Sequence, residues 1–410
     1  MNVLRAASSA VPTAARTDVI DGFRGSAIAL VLMYHTWLFS WYTPELSLFG
    51  RVVPVDAVAR TGYLGVELFF TISGFVLFLP RARRAVVGNR TRAQAPSTYA
   101  YRRFIKIVPS YYIALAISLI SAASLHLPLP LGETLAEHIF FLQNIVTSEL
   151  GRANSVFWSL GIEVQFYVIF PILAWAFVRR PVLVALGMFL AALAYRYGVA
   201  HCCLVSEPFN REVPAFFDVF AAGMLAAYGV AVVERRACGR PALRAVATFA
   251  AFVALGAGFA LLLSANAVQY DEAGRERWIL LNRTLVALTA GSALFTSCFA
   301  MRAFRAVIAN PLTRFLSVIS YNLYLWHTLV LIWLWKHRAL ASATTDPHGD
   351  PHWKLTYIAL GWTLAIGIAT ALTYFVERPL LATAKPQSFA FDWRRIIMPK
   401  ASAATSERHT

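Results

Sequence analysis

The chain has 410 residues, 58% of them hydrophobic and only 14% charged, with a mean hydropathy of +0.58. Soluble domains average about 45–50% apolar and about 25% charged residues, so a soluble enzyme of two or three domains is excluded. Disorder is excluded by 29 Phe, 16 Tyr and 11 Trp. The composition is that of an integral membrane protein, in which a net charge of +16 reports topology rather than nucleic acid. Four Cys make no disulfide framework in a chain of this length. Cys202 and Cys203 are adjacent, and with His201 they lack a second cluster to complete a metal site.

Residues 1–20 lack the apolar core of a cleaved signal peptide and read as a solvated cytoplasmic tail. About ten apolar runs follow, each near the ~20 residues that a spanning helix needs. They fall near 26–43, 63–80, 107–125, 157–178, 181–200, 213–233, 242–264, 279–300, 314–335 and 355–376. The prediction is an all-α polytopic fold with both termini cytoplasmic, a transmembrane domain over 21–379 and a tail over 380–410. With the N-terminus inside, 26 Lys and Arg fall in inner segments and 10 in outer ones, and Arg196 lies within a span. That alternation follows the positive-inside rule. The longest outer loop is 126–156, and its stretch 133–146 has the character of an interfacial or re-entrant helix.

Ionisable residues within spans are costly and mark function or tight helix pairing. In the first span Arg24 and His35 are eleven residues apart, three helical turns plus about 20°, so they share one face about 16 Å apart. Arg24 stands at the cytoplasmic mouth and His35 near mid-membrane. In the second span Glu67, Thr71 and Gly74 make a polar stripe at i, i+4 and i+7, with Ser73 beside it. Tyr101, Arg102, Arg103 and Lys106 form a basic aromatic segment before the third. Trp158, Ser159, Glu163 and Tyr167 open the fourth, and Tyr321, Asn322, Tyr324, Trp326 and His327 lie in the ninth. For each cluster taken alone, helix–helix hydrogen bonding is a competing role.

The strings DGFRG…YH (21–35), GVELFFTISGF (65–75), YRRFIKIVPSYY (101–112), FWSLGIEVQFYVIFP (157–171), SYNLYLWH (320–327) and VERP (376–379) occur in order across nearly the whole chain. Together they resemble the acyltransferase 3 family of bacterial membrane acyltransferases. The resemblance implies a roughly ten-helix protein of the bacterial inner membrane. Such a protein moves an acyl group, most often acetyl from acetyl-CoA, to a hydroxyl of a cell-surface or secreted carbohydrate or glycolipid, and some relatives act on macrolides. The family's Arg-x10-His motif falls on Arg24 and His35, with His35 as catalytic base. Its R-x-x-R element falls on Arg103 and Lys106, where Lys replaces the second Arg and loses bidentate phosphate geometry. Its WSL–E glutamate falls on Glu163, and Val164 stands where many relatives carry a second Glu.

The expected site therefore has His35 as base, with Glu67 or Glu163 orienting it, and Arg24, Arg102, Arg103 and Lys106 on the donor phosphates. Ser73, Trp158, Tyr324 and His327 are expected in support. Acyl-CoA is the expected co-substrate, with no bound cofactor or metal. The outer loop 126–156 and the segment 265–278, with Asp271, Glu272 and Glu276, are the expected places for acceptor selectivity. No nucleophile elbow, HExxH or Walker loop is present. A transporter or flippase of a lipid-linked sugar fits the buried charges equally well, and only the motif set favours the enzyme.

Overall fold

The structure is a computed structural model that describes residues 14–43, 46–48, 51–53, 56–88, 96–124, 131–145, 154–201, 211–236, 241–337 and 340–383. Ten long helices follow one another: α1 (Ala14–Ser40), α3 (Gly65–Val87), α4 (Pro96–Ser124), α6 (Phe157–Arg179), α7 (Pro181–His201), α8 (Phe217–Arg236), α9 (Pro241–Ala267), α10 (Glu272–Ser297), α12 (Pro311–Lys336) and α13 (Pro351–Leu372). Short elements join them: the hairpin β1–β2 (Leu46–Leu48, Arg51–Val53), α2 (Asp56–Arg60), α5 (Leu131–Ile139), α11 (Arg302–Ile308) and α14 (Arg378–Thr383). Among the described residues nine helices are long and apolar enough to cross a membrane. The tenth, α1, has the length, 27 residues, but Arg24 and His35 dilute its apolar character. The fold is a polytopic all-α membrane bundle, as composition predicts.

Two helix pairs form its spine. Helix α1 lies against α12, where Ile28 and Leu32 pack with Leu316, Ile319 and Leu323. A Cβ on Gly25 would stand 1.9 Å from the carbonyl oxygen of Thr313, so only glycine permits this approach. Helix α3 lies against α8 in the same manner, with a Cβ on Gly223 falling 2.0 Å from the Thr71 carbonyl oxygen. The polar stripe of the second span finds its reason here. Gly74 faces the Phe220 backbone, and Thr71 returns its hydroxyl to the Glu67 carbonyl at 2.9 Å. Both residues serve packing.

Phenylalanines fill the space between these pairs. Phe166 stacks on Phe220 with ring centroids 3.6 Å apart, and Phe70 and Phe216 meet edge to face beside them. Helices α7 and α9 turn Val182, Leu183, Phe249 and Phe252 outward. That exposure is unfavourable in water and suits lipid.

One end of the bundle is basic. Arg83 of α3 forms a bidentate pair with Glu234 of α8 at 2.9 and 3.0 Å, and Arg314 of α12 reaches Asp18 of α1 at 3.0 Å. At the far end Asp350 caps α13, accepting from the His352 and Trp353 amides. Its carboxyl is held below the usual range, first by the Ala343 amide. His348 and Lys354 there reach the Phe39 and Trp41 carbonyls, which ties the α12–α13 connection to the end of α1.

The stretch 133–146 is helical only to Ile139, then turns through Phe141 at positive φ. Gln143 donates to the Phe157 carbonyl and Gln165 to the Phe141 carbonyl, so this turn folds back onto α6. Residues 126–130 and 146–153 of the loop, Cys202, Cys203 and the tails over 1–13 and 384–410 lie outside the described residues.

Candidate functional site

A cavity of about 130 Å³ lies between α1, α3, α4, α6 and α12. Arg24, Arg103 and Lys106 line its basic end, and Ser73, Glu163, Tyr167, Ser159 and Tyr324 line it further in. Arg24 and Arg103 have no acidic partner among the described residues. The Arg103 guanidinium instead lies 5.3 Å from the Tyr167 ring and 5.9 Å from the Tyr99 ring, and its Nε is buried without a hydrogen-bond acceptor. Glu163 accepts from the Ser73 hydroxyl at 2.8 Å and from the Tyr167 hydroxyl. Two guanidiniums without an ion-pair partner give this end of the cavity a positive character, with the Glu163 carboxylate further in.

Lys106 differs from the two arginines. It forms an ion pair with Glu377, which is 4% exposed and also accepts from Asn322 Nδ2 at 2.9 Å. A π-helical turn over Thr373–Glu377 places that carboxylate on the inner side of the chain. The charge of Lys106 is thus answered from within the protein.

Behind Tyr324 stand the two histidines. His327 Nε2 lies 3.1 Å from His35 Nδ1, and the rings meet edge to face with centroids 4.8 Å apart. His327 Nδ1 is 2.9 Å from the Leu323 carbonyl, and His35 Nδ1 is 3.0 Å from the Val31 carbonyl. These partners assign the tautomers. His327 donates through Nδ1, so its neutral Nε2 accepts, and His35 donates through Nδ1 to Val31 and His327 together. The lone pair of His35 is then on Nε2, where it can take a proton. The cavity and the pair are joined through Tyr324, whose ring is 5.9 Å from that of His327 and whose hydroxyl is 2.5 Å from Ser159 Oγ.

The structure separates the expected site residues into groups. Arg24, Arg103, Lys106, Ser73, Glu163 and Tyr324 share the cavity, with His35 and His327 next to it. Glu67 is not among them, and neither it nor Glu163 orients His35. It pairs with Arg283 of α10 at 3.3 Å, both side chains buried. The hydrogen-bonding groups on His35 are the Val31 carbonyl and His327, and the Tyr34 ring meets it edge to face at 5.0 Å. Arg102 points outward from α4, and Trp158 packs on Phe216 beneath the Arg211 guanidinium, away from the cavity. Arg283 belongs to the buried interior of α10 rather than to an outer segment. Close by, fully buried Arg196 holds Asp218 through two bonds of 2.8 and 3.1 Å, and also reaches Thr284 at 2.7 Å. Asp218 and Arg283 were legible as ionisable residues inside apolar runs, although both lie outside the motif strings, and Glu377 lies within the VERP string, which by itself names no partner for it.

The bundle defines a polytopic membrane protein that encloses a cavity lined by ionisable residues. The chain belongs to the acyltransferase 3 family, whose acyltransferase domain matches residues 18–378, and it is a membrane acyltransferase. The exopolysaccharide production protein ExoZ of Rhizobium meliloti is 29% identical over 325 residues, 78% of this chain and 90% of ExoZ. The peptidoglycan O-acetyltransferase OatA of Listeria monocytogenes is 25% identical over 172 residues, 39% of this chain and 24% of OatA. No solved structure matches the chain significantly.

Proposed function

We propose that the protein is an O-acyltransferase of the bacterial plasma membrane. It moves an acyl group, acetyl in the simplest case, from acyl-CoA to a hydroxyl of a cell-surface or secreted carbohydrate. The names of ExoZ and OatA support the carbohydrate, and the distribution of Lys and Arg supports a cytoplasmic basic end with both termini inside. The observation that carries the donor is the cavity itself. It runs from unpaired Arg24 and Arg103 toward Tyr324 and the histidine pair, and the ~16 Å along α1 from Arg24 to His35 matches the reach of a pantetheine arm.

In this reading His35 Nε2 removes the acceptor's hydroxyl proton as that oxygen attacks the thioester carbonyl. The carbon–sulfur bond breaks, and the thiolate leaves as coenzyme A with the proton from His35. His327 and the Val31 carbonyl hold the ring throughout and stabilise the imidazolium. The Tyr324 and Ser159 hydroxyls, 2.5 Å apart, both donate to the Val156 carbonyl and hold each other in place beside the histidine pair. The test is coenzyme A release from acetyl-CoA by the purified protein in lipid, across a panel of surface glycans. Release that requires one glycan class supports the reading and identifies the acceptor. No release with any acceptor favours a transport role or another donor.

A further inference from the structure

A second cavity opens at the basic end beside the first and shares Val76, Leu77 and Arg103 with it. Its own walls are Pro80, Arg81 and Arg84 from α3, Tyr99 from α4, and Phe170 and Pro171 from α6. The Tyr99 and Phe170 rings are near-parallel, 29° between planes and 5.9 Å between centroids. Tyr99 is fixed by its hydroxyl, which donates to the Tyr167 carbonyl at 3.3 Å. Arg81 is held over Phe170 and donates one Nη1 bond to the Pro171 carbonyl at 3.2 Å, leaving its other donors available. The Arg84 guanidinium has no hydrogen-bonding or acidic partner among the described residues, and no carboxylate is among the residues that line this cavity. Three guanidiniums around an aromatic wall, with none neutralised, call for a planar ring system that carries phosphate.

We infer that this second cavity is the nucleotide subsite: an adenine packs on the Tyr99 ring, which buried Phe170 backs, and a ribose phosphate is held by Arg84 and Arg81. The inference rests on the acyl-CoA reading above and extends it to Arg81, Arg84 and Tyr99, which lie outside the family's motif strings. Arg103 stands at the junction, where it faces the diphosphate as the pantetheine arm turns into the first cavity toward Tyr324. Arg81 and Arg84 thereby act as ligand-binding groups as well as topological anchors. A phosphate on Arg84 has two sources, the coenzyme's 3′-phosphate or a lipid headgroup, and the experiment separates them.

Equilibrium binding of coenzyme A and of 3′-dephospho-coenzyme A is measured on the full-length protein in phosphatidylcholine nanodiscs. The wild type is expected to prefer coenzyme A by about tenfold or more, the scale of a charge-assisted bond. Arg84→Ala is expected to bring that ratio near one while leaving the dephospho form unaffected, and Arg84→Gln to do the same with the side chain's bulk retained. Tyr99→Leu is expected to weaken both ligands equally. A wild-type preference that survives in both Arg84 variants overturns the subsite. So does a wild type that binds both ligands equally. An Arg84→Ala effect seen only when phosphatidylglycerol replaces phosphatidylcholine assigns Arg84 to lipid and also overturns it. Failure of the wild type to bind either ligand removes the acyl-CoA reading itself, a result distinct from the others.

Discussion

His327 of α12 sets the tautomer of His35 of α1: its Nε2, 3.1 Å from His35 Nδ1, is an acceptor because its own Nδ1 is spent on the Leu323 carbonyl. In the proposed mechanism an imidazole stands where a serine-hydrolase triad has a carboxylate. Burial gives the exchange a reason. A carboxylate in this place would be a full charge in the bilayer without a cation beside it, whereas a neutral ring costs little.

That pairing predicts a kinetic split. His327→Phe keeps the volume and removes the acceptor, so kcat for acyl transfer should fall on the order of 10²-fold, with KM for acyl-CoA unchanged, because misorientation of a base costs about that much. Steady-state coenzyme A release measures both constants. A rise in KM at constant kcat would assign His327 to binding instead.

Arg103 and Lys106 should behave differently, although the sequence motif pairs them. Arg103→Ala removes an uncompensated cation and should weaken acyl-CoA binding by about 10–100-fold, the range of hydrogen bonds to a charged group. Lys106→Ala leaves Glu377 buried without its cation, so it should lower thermal stability more than donor affinity. Binding isotherms and melting curves on the same two variants decide between them.

Arg196 and Asp218 are both fully buried, and breaking the pair leaves a bare charge. Asp218→Ala should destabilise the bundle by about 3–5 kcal/mol, and adding Arg196→Met should recover much of that loss. A melting series in detergent checks it.

Gly25→Ala should act through distance. Its Cβ has no room beside the Thr313 carbonyl, so α1 must move off α12, and the His35–His327 contact opens with it. The expected result is a lower melting temperature, about 1–3 kcal/mol of strain, together with lost activity. Normal activity in this variant would show that the histidine contact tolerates helix displacement.

Much of this was legible in the sequence. Apolar run length gave all ten long helices, and the period of 3.6 placed Arg24 and His35 on one face of α1. Partnership between helices was not legible. Nothing in local periodicity tells Glu67 that its partner is Arg283 rather than His35, since that choice depends on how α3 packs against α10. The same holds for Lys106 and Glu377, 271 positions apart and joined by a π-helical turn. Thr71 and Gly74 read as a polar stripe because small residues at helix crossings resemble site residues when burial is unknown.

The most direct test of the account is His35→Ala, measured for acyl transfer and for acyl-CoA binding in the same lipid preparation. Coenzyme A release should disappear while acyl-CoA still binds with near wild-type affinity, because the base is lost and the arginine-lined cavity is intact. Transfer that continues in His35→Ala at a rate comparable to wild type would contradict it.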